Sequence, residues 1–492
     1  MKQIPLTAVG TILAAALLGA CGGDGENKTD STGRGRASAA NKVRGAEELP
    51  ERGPGEEEQA AFAVEERGLL VFGLDGADWR AIDPLLAAGK MPNFAKLIEA
   101  GVRAPLKTFE PCLSPLIWTT LATGLAPRKH GITGFTAEDP ESGREVLVSS
   151  NLRRVPALWN LASRFGIEVG VAGWWGTYPA EQVQGFVVSD QASALRRENY
   201  RAALDLDAGS DQGVDRRGTW PPGLAGRLSD SLTMRAEADE DLLGRFMDLP
   251  KKELAELAGE RQVDKENIFS IFQYALFIDR AFLSAFLEAS EKYDPQLGML
   301  YLNGLDAAEH HFWKFREPEK FSGVDSKDVE RYGEVIDNYY IYMDEVLGRL
   351  LERYPLEKNA VLVVSDHGHE ANEGYDPQSE DHFDRVCSGS HEHAPDGIFL
   401  LAGADVRAGA QPEKKPTIFD VMPTALALLG VPVGRDMPGR VLEGVLEPGF
   451  LEKHPPRRVK THSAGWKHGD VPIGSEVGGE LKKKLKGLGY IE

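Results

Sequence analysis

Carboxylate and imidazole side chains recur in this 492-residue chain next to short apolar segments that are typical of buried strands. They are Asp75, Asp306, His310, Asp366, His367 and His393. In open α/β sheets, ligands bind beyond the carboxyl ends of the strands, so these residues are the first candidates for a site. A mixture of carboxylate and imidazole ligands favours zinc, or manganese, over magnesium and calcium. Jointly the residues predict a cage for two divalent metals, although a single Asp after a strand is more often a turn former.

A second cluster of reactive side chains lies in EPCLSPLIWTTLATGLAPRKHGI, residues 110–132. It holds one thiol and four hydroxyls, on Cys112, Ser114, Thr119, Thr120 and Thr123. Ser114 precedes Pro115, which is favoured at the first helical position, and the apolar run ends at Gly124. Ser114 is therefore predicted to be a helix N-cap, where the helix dipole stabilises an alkoxide and an incoming phosphate. The threonines fall inside that helix, where their hydroxyls commonly bond back to carbonyls, so we interpret them as structural.

The elements that must position these residues alternate between strand and helix patterns. Apolar strand segments begin near residues 68, 167, 297, 360 and 397, and helical segments separate them. This order predicts an α/β fold with a largely parallel central sheet and helices on both faces. Between about residues 193 and 267 the pattern degrades, which we interpret as an insertion or cap over the site. The predicted catalytic domain spans residues 67–443, and residues 444–492 form a basic tail.

The first 20 residues are typical of an export signal, with a Lys, a short apolar stretch and small residues before Cys21. That ending resembles the lipobox of bacterial lipoproteins, in which the Cys is lipidated. Residues 21–66 are polar and rich in Gly, as expected of a flexible tether. The resemblance implies an exported, lipid-anchored protein that faces the periplasm or the cell surface.

Net charge and cysteine content restrict the alternatives further. The 56 Lys and Arg against 76 Asp and Glu give a formal charge of −20, which disfavours nucleic acid as a partner. In an exported protein, Cys112 and Cys387 could form a disulfide. Both could equally be small buried hydrophobic side chains, and the sequence leaves this choice open.

Taken together, the segments SPLIWTTLATGLAPRKHGI, SDHG at Asp366 and DVMPTALALLGVP resemble the alkaline phosphatase superfamily, within it the type I phosphodiesterase and nucleotide pyrophosphatase branch. The resemblance implies an alkaline-phosphatase-like α/β core and two divalent metals, zinc or else manganese. It assigns one metal to Asp306, His310 and His393, and the other to Asp75, Asp366 and His367. The remaining histidines are interpreted as hydrogen-bonding partners or loop surface; they include His311, His369, His382 and His391.

The same resemblance implies that Ser114 attacks phosphorus in a phosphorylated small-molecule, lipid or nucleotide-type ester, through a phosphoserine that is then hydrolysed. Sulfatases use a Cys or Ser that is followed at fixed spacing by Pro and Arg. Neither Cys112 nor Ser114 has this pattern, which disfavours sulfatase chemistry. Nucleotide pyrophosphatases usually carry an Asn three residues after the nucleophile, whereas Ile117 stands here, so nucleotide preference is in doubt. The leading prediction is a phosphodiesterase or pyrophosphatase. The alternatives are a phosphomonoesterase, a phosphoryl-headgroup transferase and a catalytically silent surface-binding lipoprotein.

Overall fold

The structure, a computed structural model, describes residues 67–138, 145–193, 216–233, 240–259, 266–393 and 395–466. The predicted signal peptide, Cys21 and the predicted tether lie outside these described residues.

Eight of the described strands form one mixed sheet, and six shorter strands form three two-stranded ribbons. In chain order the strands are β1 (Gly68–Leu74), β2 (Gly101–Leu106), β3 (Thr136–Glu138), β4 (Glu145–Leu147), β5 (Val169–Ala172), β6 (Gly185–Val188), β7 (Thr219–Trp220), β8 (Leu297–Leu302), β9 (Asn359–Val364), β10 (Glu370–Ala371), β11 (Gly389–Ser390), β12 (Gly397–Gly403), β13 (Val433–Gly434) and β14 (Arg458–Val459). The order across the large sheet is β2-β12-β9-β1-β8-β5-β6-β7.

Helices cover both faces of this sheet, as the sequence predicted. In chain order they are α1 (Trp79–Ala87), α2 (Pro92–Glu99), α3 (Ser114–Thr123), α4 (Pro127–His130), α5 (Leu158–Arg164), α6 (Leu224–Arg227), α7 (Ser229–Thr233), α8 (Glu240–Leu243), α9 (Lys251–Gly259), α10 (Ile268–Tyr293), α11 (Gly304–Arg316), α12 (Ser326–Tyr332), α13 (Val335–Arg353), α14 (His382–Val386), α15 (Ile418–Leu428) and α16 (Pro448–Lys453). Alternate residues of β1 enter different hydrophobic clusters, one with α10, α11 and α13 and the other with α3, α5 and α15.

Strand direction brings distant loops to one edge of the sheet. The central strands β9, β1, β8, β5 and β6 are parallel, which confirms the largely parallel sheet. β12, however, runs antiparallel to β9 and pairs Phe399 with Val364. The start of β12 therefore lies beside the end of β9, so residues that precede β12 reach the carboxyl edge of the parallel strands.

α10 is a core helix that also positions its neighbour. Among the described residues it alone has the length and hydropathy of a membrane span, but most of that stretch is buried. Its buried Asp279 accepts hydrogen bonds from the backbone N–H groups of Asn303 and Gly304, at 3.1 and 3.0 Å, and from the Tyr339 hydroxyl at 3.0 Å. Because Asn303 and Gly304 begin α11, α10 fixes the point at which α11 leaves β8.

Residues of two predicted segments, the insertion and the basic tail, contribute to the hydrophobic core. The described parts of the predicted insertion extend the sheet edge through β7 and place Leu224, Phe246 and Leu254 in the core with α10. A cap over the site would fall on residues outside the described ranges and stays a prediction. The catalytic domain continues past residue 443, since Leu446 and Phe450 are buried in the core and β14 pairs with β13. The predicted basic tail is therefore part of the folded domain as far as residue 466.

Candidate functional site

The site candidates lie at the carboxyl edge of the three central strands. Asp75 directly follows β1, and Asp366 and His367 follow β9 after one intervening serine. Asp306 and His310 lie in the first two turns of α11, which begins two residues after β8. Because β9, β1 and β8 are adjacent and parallel, their ends bring these five side chains together.

Three groups of acidic and histidine side chains are found there in the described part of the chain. Within each group the candidate ligand atoms lie within 4.8 Å of one another. The groups are Asp75 with Asp366 and His367, Asp306 with His310 and His369, and Asp306 with His367 and His391. Five of the six predicted ligands thus meet, together with two histidines that the sequence had assigned to other roles.

The structure replaces His393 by His391 as a candidate ligand. The side chain of His393 is exposed and belongs to none of the three groups. His391 is half-buried, its ring stacks on His367 at 4.1 Å between centroids, and it lies 5.1 Å from the His310 ring. His391 directly follows β11, which leads the chain to the site. Two residues later, at His393, the chain is exposed to solvent.

His369 is the other residue that the sequence did not assign to the metals. Its side chain is fully buried, and its Nε2 lies 3.4 Å from the Oδ1 of Asp306. A signal was present in the sequence, since DHGH repeats an imidazole two residues after His367. His311 is also buried, but its Nδ1 lies 3.2 Å from the Val386 carbonyl and it joins no group, as expected of a structural histidine.

Asp75 is held by donors on one carboxylate oxygen. Its Oδ2 accepts hydrogen bonds from the indole N–H of Trp118, at 3.2 Å, and from the Tyr301 hydroxyl. Tyr301 is itself held by the N–H of Trp175 at 2.8 Å. The other oxygen, Oδ1, faces the Nε2 of His367 at 3.4 Å. Trp118 and Tyr301 are buried core residues that thus also orient a candidate ligand.

Backbone carbonyls set the tautomers of two imidazoles. The Nδ1 of His310 lies 2.9 Å from the Gly389 carbonyl, and the Nδ1 of His367 lies 3.2 Å from the Gly368 carbonyl. Because a carbonyl oxygen only accepts, each Nδ1 carries the proton and donates it. Each Nε2 is then unprotonated, and that of His310 lies 3.5 Å from Asp306. This is the form in which histidine binds metals.

Burial controls the ionisation of the cluster. Desolvation lowers the pKa of His310 to about 3 and the pKa of His391 well below its usual value, so both imidazoles are neutral. Desolvation and the charge of Asp366 raise the pKa of Asp75 well above its usual value, and burial raises the pKa of Asp366 to about 6. Asp306 has a raised pKa for the same reasons. A cation would therefore stabilise the ionised carboxylates.

The donor set fits divalent metals. Several buried atoms make no hydrogen bond with any group in the described residues: Asp75 Oδ1, both carboxylate oxygens of Asp306, Asp366 Oδ2, and the Nε2 atoms of His310, His367 and His369. Buried polar atoms without a partner are costly, and a buried carboxylate is more costly still unless a cation compensates it. The same atoms converge in groups of three, as metal ligands do.

Ser114 begins α3 beside this cluster. It is the first helical residue and Leu113 is the cap, so the sequence-based assignment of Ser114 as N-cap was one residue too late. Its side chain is buried. One turn later in α3, Trp118 donates a hydrogen bond to Asp75. Two residues before Ser114, burial raises the pKa of Cys112 to about 12, and the charge of Asp366 adds to this shift. Ser114 thus lies between two residues that interact with the carboxylates, Trp118 with Asp75 and Cys112 with Asp366.

The other reactive side chains of this stretch are structural. The Thr120 hydroxyl donates to the Leu116 carbonyl at 2.9 Å, and the Thr123 hydroxyl donates to the Thr119 carbonyl at 2.7 Å, as predicted. Thr120 also contacts His130, whose Nε2 lies 3.0 Å from its Oγ1. The HGI element therefore braces the helix that Ser114 begins.

The possible disulfide is not formed. Cys112 and Cys387 are both free thiols. Cys112 packs beside the cluster that contains α3, whereas Cys387 is buried in a separate small cluster with Phe383 and Val386. The sequence left a disulfide and two small buried side chains as alternatives; Cys387 fits the second, whereas Cys112 is only half-buried.

A sheet with acidic and histidine groups at its carboxyl edge and a serine at a helix N-terminus defines a class of metal-assisted hydrolases. The type I phosphodiesterase / nucleotide pyrophosphatase family matches residues 69–421, and the chain belongs to that family. The predicted resemblance is thereby confirmed, and the protein is a hydrolase of phosphoric ester bonds. The matched region contains Ser114 and all the members of the three groups.

Solved structures that are similar to this one include three hydrolases of phosphorus compounds. Wild-type alkaline phosphatase PafA has 13% sequence identity and a TM-score of 0.48, with 77% of this chain and 99% of that chain covered. Human ectonucleotide pyrophosphatase / phosphodiesterase 5 has 15% identity and a TM-score of 0.39, with 79% and 99% covered. Phosphonoacetate hydrolase from Sinorhizobium meliloti 1021, in complex with phosphonoacetate, has 14% identity and a TM-score of 0.39, with 74% and 96% covered.

The contact between Tyr301 and Asp75 can be tested by Tyr301→Phe. Loss of the hydroxyl removes one of the two donors to Asp75 Oδ2 and leaves the Trp118 N–H, so we expect zinc affinity to fall by about 10–100-fold, as when other hydrogen-bonding partners of metal ligands are removed. Tyr354→Phe is the matched control, because its buried hydroxyl donates to the Pro295 carbonyl at 3.1 Å, outside the three groups. It should lower stability by about 1 kcal/mol without changing zinc affinity. Equal zinc affinity in both variants would contradict the orienting role.

His130 makes a second prediction, on the pH dependence of stability. Burial lowers its pKa from 6.5 to about 3, so only the unfolded chain takes up this proton below pH 6.5. The buried, neutral His130 therefore costs no stability above pH 6.5. Between pH 6.5 and pH 3 it lowers the free energy of unfolding by about 1.4 kcal/mol for each unit by which the pH falls. Urea unfolding at several pH values should show a shallower dependence for His130→Gln than for the wild type. Parallel curves for the two proteins would refute this.

Proposed function

We propose that this protein is a two-metal phosphoric ester hydrolase that cuts diesters or pyrophosphates, with Ser114 as the nucleophile. One observation carries the proposal: two sets of unpartnered carboxylate and imidazole atoms converge at one sheet edge, next to the helix that Ser114 begins. Membership of the type I phosphodiesterase / nucleotide pyrophosphatase family supports the reaction class. A catalytically silent binding protein would have no use for so many costly buried ligands.

In this proposal each metal has its own set of three residues. Asp75, Asp366 and His367 would hold one metal. Asp306 and His310 would hold the other with His391, whose ring lies 5.1 Å from the His310 ring. When bound, two such cations supply positive charge for the attacking, leaving and equatorial oxygens of a phosphoryl group. Zinc is the first candidate because imidazoles make up half of the ligands, and manganese is the second.

Ser114 would act in two steps. Its Oγ first attacks phosphorus in line with the leaving group, so the Oγ–P bond forms while the P–O bond to the leaving group breaks. Water then attacks the phosphoserine, which restores the hydroxyl and releases the phosphorylated product. The N-terminus of α3 carries a partial positive charge that favours both the alkoxide and the phosphoryl oxygens.

The surroundings of Ser114 bear on the substrate. Ile117 is fully buried in the cluster that contains α3, so the position three residues after the nucleophile presents no polar group to a substrate. This supports a phosphoric ester substrate that is not selected as a nucleotide through that position. A phosphomonoesterase or a headgroup transferase remains as the alternative within the same chemistry.

Ser114→Ala tests the nucleophile. In the full chain with added zinc or manganese, we expect hydrolysis of bis-p-nitrophenyl phosphate to fall by about 10³-fold or more. Cys112→Ala is the matched control, since it removes the neighbouring candidate nucleophile and should leave the rate within a few-fold. Full activity of Ser114→Ala would overturn the assignment.

The ratio of diester to monoester hydrolysis, measured with p-nitrophenyl phosphate as the second substrate, separates the two esterase activities. Product analysis with an added alcohol acceptor detects transfer.

We further propose that the protein is exported and held to a bacterial membrane by a lipid on Cys21. Support comes from the signal-like residues 1–20 and from the polar residues 21–66 that precede the domain. Cys21→Ser should move the protein from the membrane fraction to the soluble fraction, because a lipid anchor supplies the membrane affinity. Retention of this variant in the membrane fraction would exclude lipidation as the anchor.

A further inference from the structure

We propose that His369 is a fourth protein ligand of the metal held by Asp306, His310 and His391, and that Glu309 is its positioning residue. The inference rests on the proposed function, since it requires a metal at this set of residues. It gives the two metal sites different compositions. One site has three protein ligands, and the other has three imidazoles and one carboxylate.

Convergence on one oxygen is the first observation. The Nε2 of His369 lies 3.4 Å from the Oδ1 of Asp306, and the Nε2 of His310 lies 3.5 Å from the same oxygen. The two rings are nearly perpendicular, at 85°, with centroids 4.6 Å apart. Two imidazole nitrogens thus approach a single carboxylate oxygen from different directions, as ligands do around a shared cation.

The absence of other partners is the second observation. Neither Nε2 nor the Oδ1 of Asp306 makes a hydrogen bond within the described ranges, although all three atoms are buried. A histidine that only packs in a core would have its ring nitrogens satisfied by protein groups. His369 does stack near Trp313, at 6.2 Å between centroids, but that contact leaves the nitrogens unpaired. A metal between them would satisfy all three atoms.

Glu309 supplies the third observation. Its Oε2 lies 3.0 Å from the Nδ1 of His369, and neither atom makes a hydrogen bond within the described ranges. Its Oε1 accepts a hydrogen bond from the Tyr340 hydroxyl at 2.9 Å. A carboxylate behind a histidine is a common arrangement at metal sites, where it fixes the ring and raises the basicity of the ligand. Glu309 precedes His310 in α11, so one helix carries a ligand and the residue that positions another.

Gly76 lies against the Glu309–His369 pair, where a larger residue would not fit. It has φ +83°, and a Cβ there would lie 2.7 Å from Glu309 Oε2 and 3.2 Å from His369 Cε1. A side chain at this position would therefore displace the Glu309–His369 pair in addition to straining the backbone. The turn after β1, which delivers Asp75, is thus shaped to admit the pair.

The test measures metal binding by the full chain. After metal removal with a chelator, zinc is titrated in competition with a chromophoric chelator. The wild type should bind two zinc ions. In His369→Phe the affinity of one of the two should fall by at least about 10–100-fold, and Glu309→Gln should have a smaller effect in the same direction. His382→Ala is the matched control, since this half-buried histidine lies close in sequence, belongs to none of the three groups and should leave both affinities unchanged.

Cobalt substitution provides a readout that a merely structural role would not change. The visible spectrum of the cobalt protein reports the number and type of ligands, so it should differ between the wild type and His369→Phe but not between the wild type and His382→Ala. Circular dichroism of the metal-free variants checks the fold. If His369→Phe does not fold, His369→Gln and Glu309→Gln carry the test.

The outcomes separate the two proposals. Two zinc ions bound with wild-type affinity and an unchanged cobalt spectrum in a folded His369 variant would show that His369 only packs. A wild type that binds no zinc, cobalt or manganese would instead overturn the two-metal function. Loss of affinity on His369 substitution, with full activity in Ser114→Ala, would support the metal site and reject the nucleophile.

Discussion

Mutual repulsion among three buried carboxylates is the constraint on which this structure depends. Asp75, Asp306 and Asp366 are 1% exposed or less, and each has a pKa raised by burial, with neighbouring carboxylates contributing for Asp75 and Asp306. Left to themselves, such groups would separate or take up protons. They stay together because they follow β1, β8 and β9, which are paired side by side and buried on both faces. The packing energy of the sheet holds the charges in place.

The surrounding residues satisfy the outward atoms of the site and leave the inward atoms free. Trp118 and Tyr301 occupy one oxygen of Asp75, and the carbonyls of Gly368 and Gly389 bind the outward nitrogens of His367 and His310. The ligand atoms that remain without a hydrogen bond belong to the three groups of acidic and histidine side chains. The donors and acceptors that bind the ligand side chains thus decide which ligand atoms a metal can reach, so they are as much a part of the site as the ligands.

Local rules explain how much the sequence could predict. Apolar strands followed by Asp or His identify Asp75, Asp306, His310, Asp366 and His367, because the ends of adjacent parallel strands always share one edge of a sheet. Helix rules placed the start of α3 within one residue, since Pro and Gly mark helix ends through their own backbone preferences. The family match spans residues 69–421 and so includes all of these positions.

By itself, then, the sequence determined the fold class, the family, five candidate ligands and the helix that begins at Ser114. Only the tertiary structure decided that His391 faces the site and His393 faces solvent, because this depends on the path between β11 and the antiparallel β12. The burial of His369 against Asp306 likewise depends on the packing of α11 beside the loop after β9. Such contacts join residues far apart in the chain, and no local preference of the backbone specifies them.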